Sequence, residues 1–151
     1  MKDNVQTLLV PIDFSDVTGR VLETTETLAR AFKSRVVLLH IVEPEPDFVG
    51  FEPGPVSVRS SVAKEFHQEH KHLEDAKQRL TGAGIAVVAL QIQGATVEKI
   101  LHESTQQKAD MIVLGSHGHG ALHKLLTGSV AAGVLKEAAC PVVIVPSAKK
   151  A

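Results

Sequence analysis

The stretch Gly115-Ser116-His117-Gly118-His119-Gly120, followed after seven residues by Gly128-Ser129-Val130, holds the residues best suited to chemistry. Gly115, Gly118 and Gly120 let a backbone approach a ligand closely and adopt positive φ. Gly128 and Ser129 stand where a helix would open. Its first amides have no intrahelical partner, and its dipole favours an anion. The Ser129 hydroxyl adds a donor. Together these features describe a cradle of backbone amides for phosphate, each charge-assisted bond contributing about 1.5–3 kcal/mol. The alternative is a strand-to-helix loop whose glycines only shape its path. No Gly-Lys-Ser/Thr follows at the spacing of a Walker A loop. The stretch also lies too late in the chain for a dinucleotide fingerprint, which follows the first strand.

Other constellations are weaker. His117, His119 and His123 crowd the same stretch, but no Cys or acidic ligand lies between them. A polar loop beside a phosphate is favoured over zinc, so no metal ligand is nominated. His117 and Lys124 could help neutralise a bound phosphate chain. His67, His70 and His72 fall among Glu65, Gln68, Glu69, Lys71 and Glu74, which reads as a solvated helix face. The His-x-Gly-His signature of nucleotidyl transferases and the Ser-Gly-Gly-x-Asp loop of ATP pyrophosphatases are both absent. Cys140 reads as a small buried hydrophobe, with Lys136 its only nearby cation.

The elements that must position these residues alternate. Thr7–Ile12, Arg35–Val42, Ile85–Ile92, Asp110–Leu114 and Pro141–Val145 are short apolar runs, the pattern of strands buried on both faces. Between them lie helical patterns. The first carries Val21, Leu22, Leu28, Ala29 and Phe32 and is capped by Ser15 or Asp16. The second runs from about Val62 to Leu80 and is ended by Gly82 and Gly84. The third is capped by Thr96, and the fourth spans Ser129–Ala138. Residues 43–60 hold four of the seven prolines and read as a long loop. Phe48, Val49 and Phe51 in that loop could cover a ligand, meet a partner or fold back on the second helix.

Strands alternating with helices imply an α/β fold. The expected form is a doubly wound, Rossmann-like parallel sheet in the order 3-2-1-4-5, helices on both faces. Ligands in such sheets bind beyond the carboxyl ends of the strands where the order reverses. Here those ends are Pro11-Ile12-Asp13 and Leu114-Gly115-Ser116, so the glycine-rich stretch falls at the expected crevice.

The chain has 151 residues, enough for one domain, and its 16 basic and 17 acidic side chains nearly balance. That balance argues against a nucleic-acid partner. The first residues lack a signal-peptide pattern and no apolar run reaches membrane-spanning length. A cytoplasmic location is expected, and the single cysteine fits a reducing compartment.

The spacing Gly115-x2-Gly118-x9-Gly128-Ser129 resembles the nucleotide-binding signature of the universal stress protein family. The opening Leu9-Val10-Pro11-Ile12-Asp13-Phe14-Ser15, the second strand Leu38-Leu39-His40-Ile41-Val42, the fourth strand Val113-Leu114-Gly115-Ser116-His117-Gly118 and the ending Cys140-Pro141-Val142-Val143-Ile144-Val145-Pro146 are also similar. The resemblance covers essentially the whole chain and points to the ATP-binding members. It implies ATP or another adenine nucleotide, with Mg²⁺ riding on the phosphates. Pro11, Ile12, Asp13, Ile41 and Val42 would contact adenosine. Leu114, Gly115, Gly118, Gly128, Ser129 and Val130 would line the phosphates and ribose, with Ser116 and His117 beside them. Asp13 suits the ribose hydroxyls as an acceptor, or it caps the first helix. The resemblance also implies a homodimer paired through the last strand, Pro141 to Val145.

Three functions remain open: a nucleotide-responsive stress or signalling module, an enzyme that hydrolyses ATP slowly or transfers from it, and a scaffold that binds no nucleotide. The pattern favours the module. Only His117 and Asp13 offer themselves for positioning an attacking water, and no catalytic residue is nominated.

Overall fold

The computed structural model describes residues 4–43, 56–116 and 129–147, with side chains omitted for 56–66 and 129. Apolar runs become strands β1 (Thr7–Pro11), β2 (Arg35–Val42), β3 (Val87–Gln93), β4 (Met111–Gly115) and β5 (Val142–Val145). The helices between them are α1 (Thr18–Phe32), α2 (Val56–Gly82), α3 (Thr96–Gln106) and α4 (Ser129–Glu137). All strand pairs are parallel, in the order β3-β2-β1-β4-β5. This is the expected doubly wound sheet.

Side chains alternate across a strand, so each central strand feeds two cores. Leu8, Val10, Val36 and Leu38 face Val21, Leu22 and Ala29 of α1 and Leu73, Ala76 and Leu80 of α2. Leu9, Val37, Leu39, Ile112 and Leu114 face Ile100 of α3 and Ala131 and Val134 of α4. Leu8, Leu9, Leu38 and Leu39 are fully buried, each contributing about 1.5–3 kcal/mol. This continuous apolarity is what identifies a sheet covered on both sides.

Several boundaries differ from the sequence reading. Helix α2 begins at Val56, so the proline-rich connection ends there and not at residue 60. Phe48, Val49 and Phe51 lie outside the described residues. Strand β3 starts at Val87; Ile85 instead enters the α1–α2 core, its amide donating to the Leu80 carbonyl at 3.2 Å. Gly84 takes φ 85°, the left-handed conformation that turns the chain out of α2.

Neither Ser15 nor Asp16 caps α1. Val17 occupies the cap without a side-chain bond, and the Thr18 amide donates to the Ser15 carbonyl at 3.0 Å. Thr96 is the first residue of α3, not its cap. Its amide and hydroxyl donate to Oε1 of Glu43 at 3.2 and 2.7 Å, so the cap comes from the end of β2. Among the described residues no helix is long and apolar enough to cross a membrane.

Candidate functional site

Open parallel sheets carry their ligand crevice where the strand order reverses, here between β1 and β4, and Pro11 explains where their pairing ends. The Ile12 amide donates to Leu39 of β2 at 2.9 Å. Alternate amides of a strand point to opposite sides, so position 11 would donate toward β4. Proline has no amide hydrogen to donate. Pairing of β1 with β4 accordingly covers Leu8 with Met111 and Leu9 with Ile112, whereas β1–β2 pairing continues to Pro11 and β4–β5 pairing to Gly115.

The two walls of the crevice are therefore Pro11-Ile12-Asp13 and the end of β4. Pro11, Asp13 and Gly115 are half-buried, while Ile12, Leu114 and Ser116 are buried. Ile12 and Leu114 belong to opposite cores, so a ligand in the crevice would meet chiefly their backbone. The Ser116 amide donates to the Val145 carbonyl at 2.8 Å, tying this wall to β5. The chain re-enters at Ser129 as the first residue of α4, where the helix presents its amide end.

Ile41 and Val42 close the far end of β2 and are half-buried. Ile41 packs with the α3–α4 core, and the Val42 carbonyl accepts from the Gly94 amide at 3.1 Å. Gly94 has φ 147°, and a Cβ there would lie 2.4 Å from Cε of Lys99. The sequence reading gave no role to this tight turn. Val130 is half-buried against the same core. His117, Gly118, Gly128 and the Ser129 side chain lie outside the described residues, as do His119, Gly120, His123 and Lys124.

Asp13 faces the turn that follows β1. Its Oδ1 accepts from the Ser15 amide at 3.0 Å. It thus shapes the turn before α1 and does not cap the helix itself. Phe14, between them, has φ 61°, an uncommon conformation for a residue with a Cβ. Its ring lies 4.6 Å from that of His40 and 5.4 Å from that of His72. Beside it, a shallow cleft of about 390 Å³ between α1 and α2 is lined by Phe14, Leu22, Ala76 and Arg79, among others.

The sequence reading missed the group behind the crevice wall. It placed His40 only as part of a strand and His67, His70 and His72 on a solvated face. His40 is buried, with Nδ1 2.9 Å from the Ile12 carbonyl and Nε2 3.0 Å from Oε2 of Glu69. His72 meets Phe14, and Nδ1 of His70 lies 3.3 Å from Oε1 of Gln91. The available signal was a histidine within an otherwise apolar strand, since a buried polar ring needs partners.

On the other edge, Cys140 is half-buried and packs with the α3–α4 core. Burial pushes its thiol above the ordinary range, and the Asp110 carboxylate adds to that. The structural reading of this cysteine fits both effects. Among the described residues no group of three or more His, Cys, Asp or Glu side chains could hold a metal ion.

The model of the "Universal stress protein family" matches residues 4–146. A universal stress protein of Thermus aquaticus is 34% identical over 140 residues, covering 93% of this chain and 98% of its own. The solved structure of MJ0577, a universal stress protein of Methanocaldococcus jannaschii, superposes with a TM-score of 0.80 at 26% identity, covering 97% and 99% of the two chains. A universal stress protein in complex with cAMP gives a TM-score of 0.72 at 22% identity, covering 97% and 100%. One from Archaeoglobus fulgidus in complex with dAMP gives 0.68 at 19%, covering 93% and 97%. The matched fold and the sequence match along nearly the whole chain agree: the chain belongs to the universal stress protein family.

Proposed function

We propose that the chain binds an adenine nucleotide, with ATP and Mg²⁺ the first candidates, and serves as a nucleotide-responsive stress or signalling module in the cytoplasm. The observation that carries this reading is the early end of β1–β4 pairing at the point where the strand order reverses. Pairing stops at Leu9 and Ile112, Pro11 withholds the next donor, and α4 opens at Ser129. Relatives of the same fold bound to cAMP and dAMP support adenylate as the ligand class. In this reading Asp13 accepts from the ribose hydroxyls, and Pro11, Ile12, Ile41 and Val42 wall the adenosine. The glycine backbone from Gly115 through Gly118 to Gly128, with Ser116, His117, Ser129 and Val130, surrounds the phosphates. Mg²⁺ would be held through those phosphates.

Titration with ATP and Mg²⁺ tests the assignment. The double variant Gly118→Ala/Gly128→Val should bind at least about tenfold more weakly than the unaltered chain. Equal binding, or none in either protein, overturns it.

The module is also proposed to act as a homodimer joined through the last strand, Pro141 to Val145. Among the described residues strand β5 has β4 as its only neighbour in the sheet, and an apolar edge left open invites pairing. Sedimentation at micromolar concentration should give twice the chain mass; a monomer would defeat this part.

A further inference from the structure

A glycine in the middle of a helix weakens it relative to alanine, so its presence there needs a reason. Gly133 is the fifth residue of α4, and its reason is Val97, the second residue of α3. A Cβ on Gly133 would lie 2.9 Å from Cγ2 and 3.2 Å from Cγ1 of Val97. Carbon atoms pack best at about 3.5–4.0 Å. Val97 has little room to turn away, because a β-branched side chain in a helix has one strongly preferred χ1. Glycine at position 133 therefore lets α3 and α4 lie closer than a residue with a Cβ would.

The two sides of this contact lead to different parts of the nucleotide site. Helix α3 is tied to the end of β2. The Gly94 amide donates to the Val42 carbonyl at 3.1 Å, and the amide and hydroxyl of Thr96 donate to Glu43. The fully buried Ile100 then anchors α3 in the core below. On the other side, Gly133 comes four residues after Ser129 and shares a helix face with it. Val130 and Ala131, next to that amide end, pack in the same core as Val97.

We propose that the Val97–Gly133 contact is a spacer that sets the distance between the adenosine wall at Ile41 and Val42 and the amide end of α4. The inference rests on the nucleotide reading above and adds two positioning residues to it. Because α3 is tied to β2, separating α3 from α4 also separates the two halves of the site. Adenosine needs only the strand side. ATP must reach the strand side and the α4 amides together, and hydrogen bonds to those amides weaken steeply once misaligned. ATP binding therefore depends on the spacing, and adenosine binding does not.

Gly133→Ala adds the Cβ that the contact excludes. It should weaken ATP binding in the presence of Mg²⁺ on the order of tenfold, the loss of about one charge-assisted bond. Adenosine, titrated into the millimolar range and followed by NMR, should bind the variant within about twofold of the unaltered chain. Val97→Ala removes both crowding methyls, so Gly133→Ala/Val97→Ala should recover ATP affinity to within about threefold. Unchanged ATP affinity in Gly133→Ala, an equal proportional loss for adenosine, no adenosine binding by the unaltered chain, or no recovery in the double variant each overturns the spacer.

A second measurement needs no ligand. Alanine is the better helix former, so Gly133→Ala should raise the urea midpoint in a Val97→Ala background and lower it where Val97 is present. The same sign in both backgrounds overturns the contact whether or not ATP binds. Opposite signs, with no ATP binding by the unaltered chain, overturn the nucleotide reading and with it the positioning role, while the contact itself stands.

Discussion

The ring of Phe14 packs on the imidazole of His40, with centroids 4.6 Å apart and planes at 47°, from a backbone held at φ 61°. That conformation brings a Cβ close to the following carbonyl and costs about 1–2 kcal/mol. The contacts of Phe14 with His40 and His72 offset the cost. Replacement by alanine removes the ring but keeps the Cβ penalty, and should destabilise by about 2–3 kcal/mol. Glycine removes the ring and relieves the backbone. Urea unfolding should therefore rank Phe14→Gly above Phe14→Ala by about 1 kcal/mol. The reverse order would show that packing alone sets this turn.

The start of α3 depends on a residue from another element. Both the amide and hydroxyl of Thr96 donate to the Glu43 carboxylate, while Ala95 occupies the cap position with no side chain able to accept. Glu43→Ala should lower stability by about 1 kcal/mol and speed hydrogen exchange in the first turn of α3. Glu43→Gln retains an acceptor oxygen and should lose less. Unchanged exchange in the alanine variant would assign the capping to water.

These contacts show why the sequence exposes some features and conceals others. The covered parallel sheet was legible in apolar runs such as Leu8-Leu9-Val10 and Val36-Val37-Leu38-Leu39 that alternate with helical patterns, and right-handed crossovers then made 3-2-1-4-5 the expected order. The crevice followed from that order, and Pro11 sits at its mouth. Local rules misled where a distant residue supplied the bond. Thr96 has the chemistry of a cap, but Glu43 satisfies the amide. Glu69 and His72 look solvated on a helix whose sequence is mostly polar, yet tertiary packing turns them toward His40 and Phe14. No spacing rule relates positions 40 and 69, because their contact exists only after α2 folds back onto β2 and β3.

Cys140 should be a slow nucleophile. Burial, then the nearby Asp110 carboxylate, hold its thiol above the ordinary range. Both favour the protonated form, so the reactive thiolate appears at more alkaline pH than for a free cysteine. Iodoacetamide should modify the native protein more slowly than the urea-unfolded chain at neutral pH, the gap narrowing as pH rises. Asp110→Asn should quicken the native reaction modestly. It should also lower stability by about 1–3 kcal/mol, because Oδ2 of Asp110 accepts from the Gln6 and Thr7 amides at 2.9 and 3.0 Å. Native labelling as fast as unfolded labelling would contradict the assigned burial.

Asp13 has a structural bond and a proposed binding role that two substitutions can separate. Its Oδ1 accepts from the Ser15 amide, and a carboxylate has acceptor capacity beyond that bond. Asp13→Asn keeps an oxygen for Ser15 but replaces the other with a donor, whereas Asp13→Ala removes both. Thermal unfolding should place the asparagine variant within about 0.5 kcal/mol of the unaltered chain and the alanine variant about 1 kcal/mol below it. If Asp13 accepts from the ribose, both variants should bind ATP on the order of tenfold more weakly. The unaltered chain should also prefer ATP to its 2′-deoxy or 3′-deoxy analogue, and that preference should shrink in Asp13→Asn. Undiminished discrimination in that variant would remove Asp13 from the binding site.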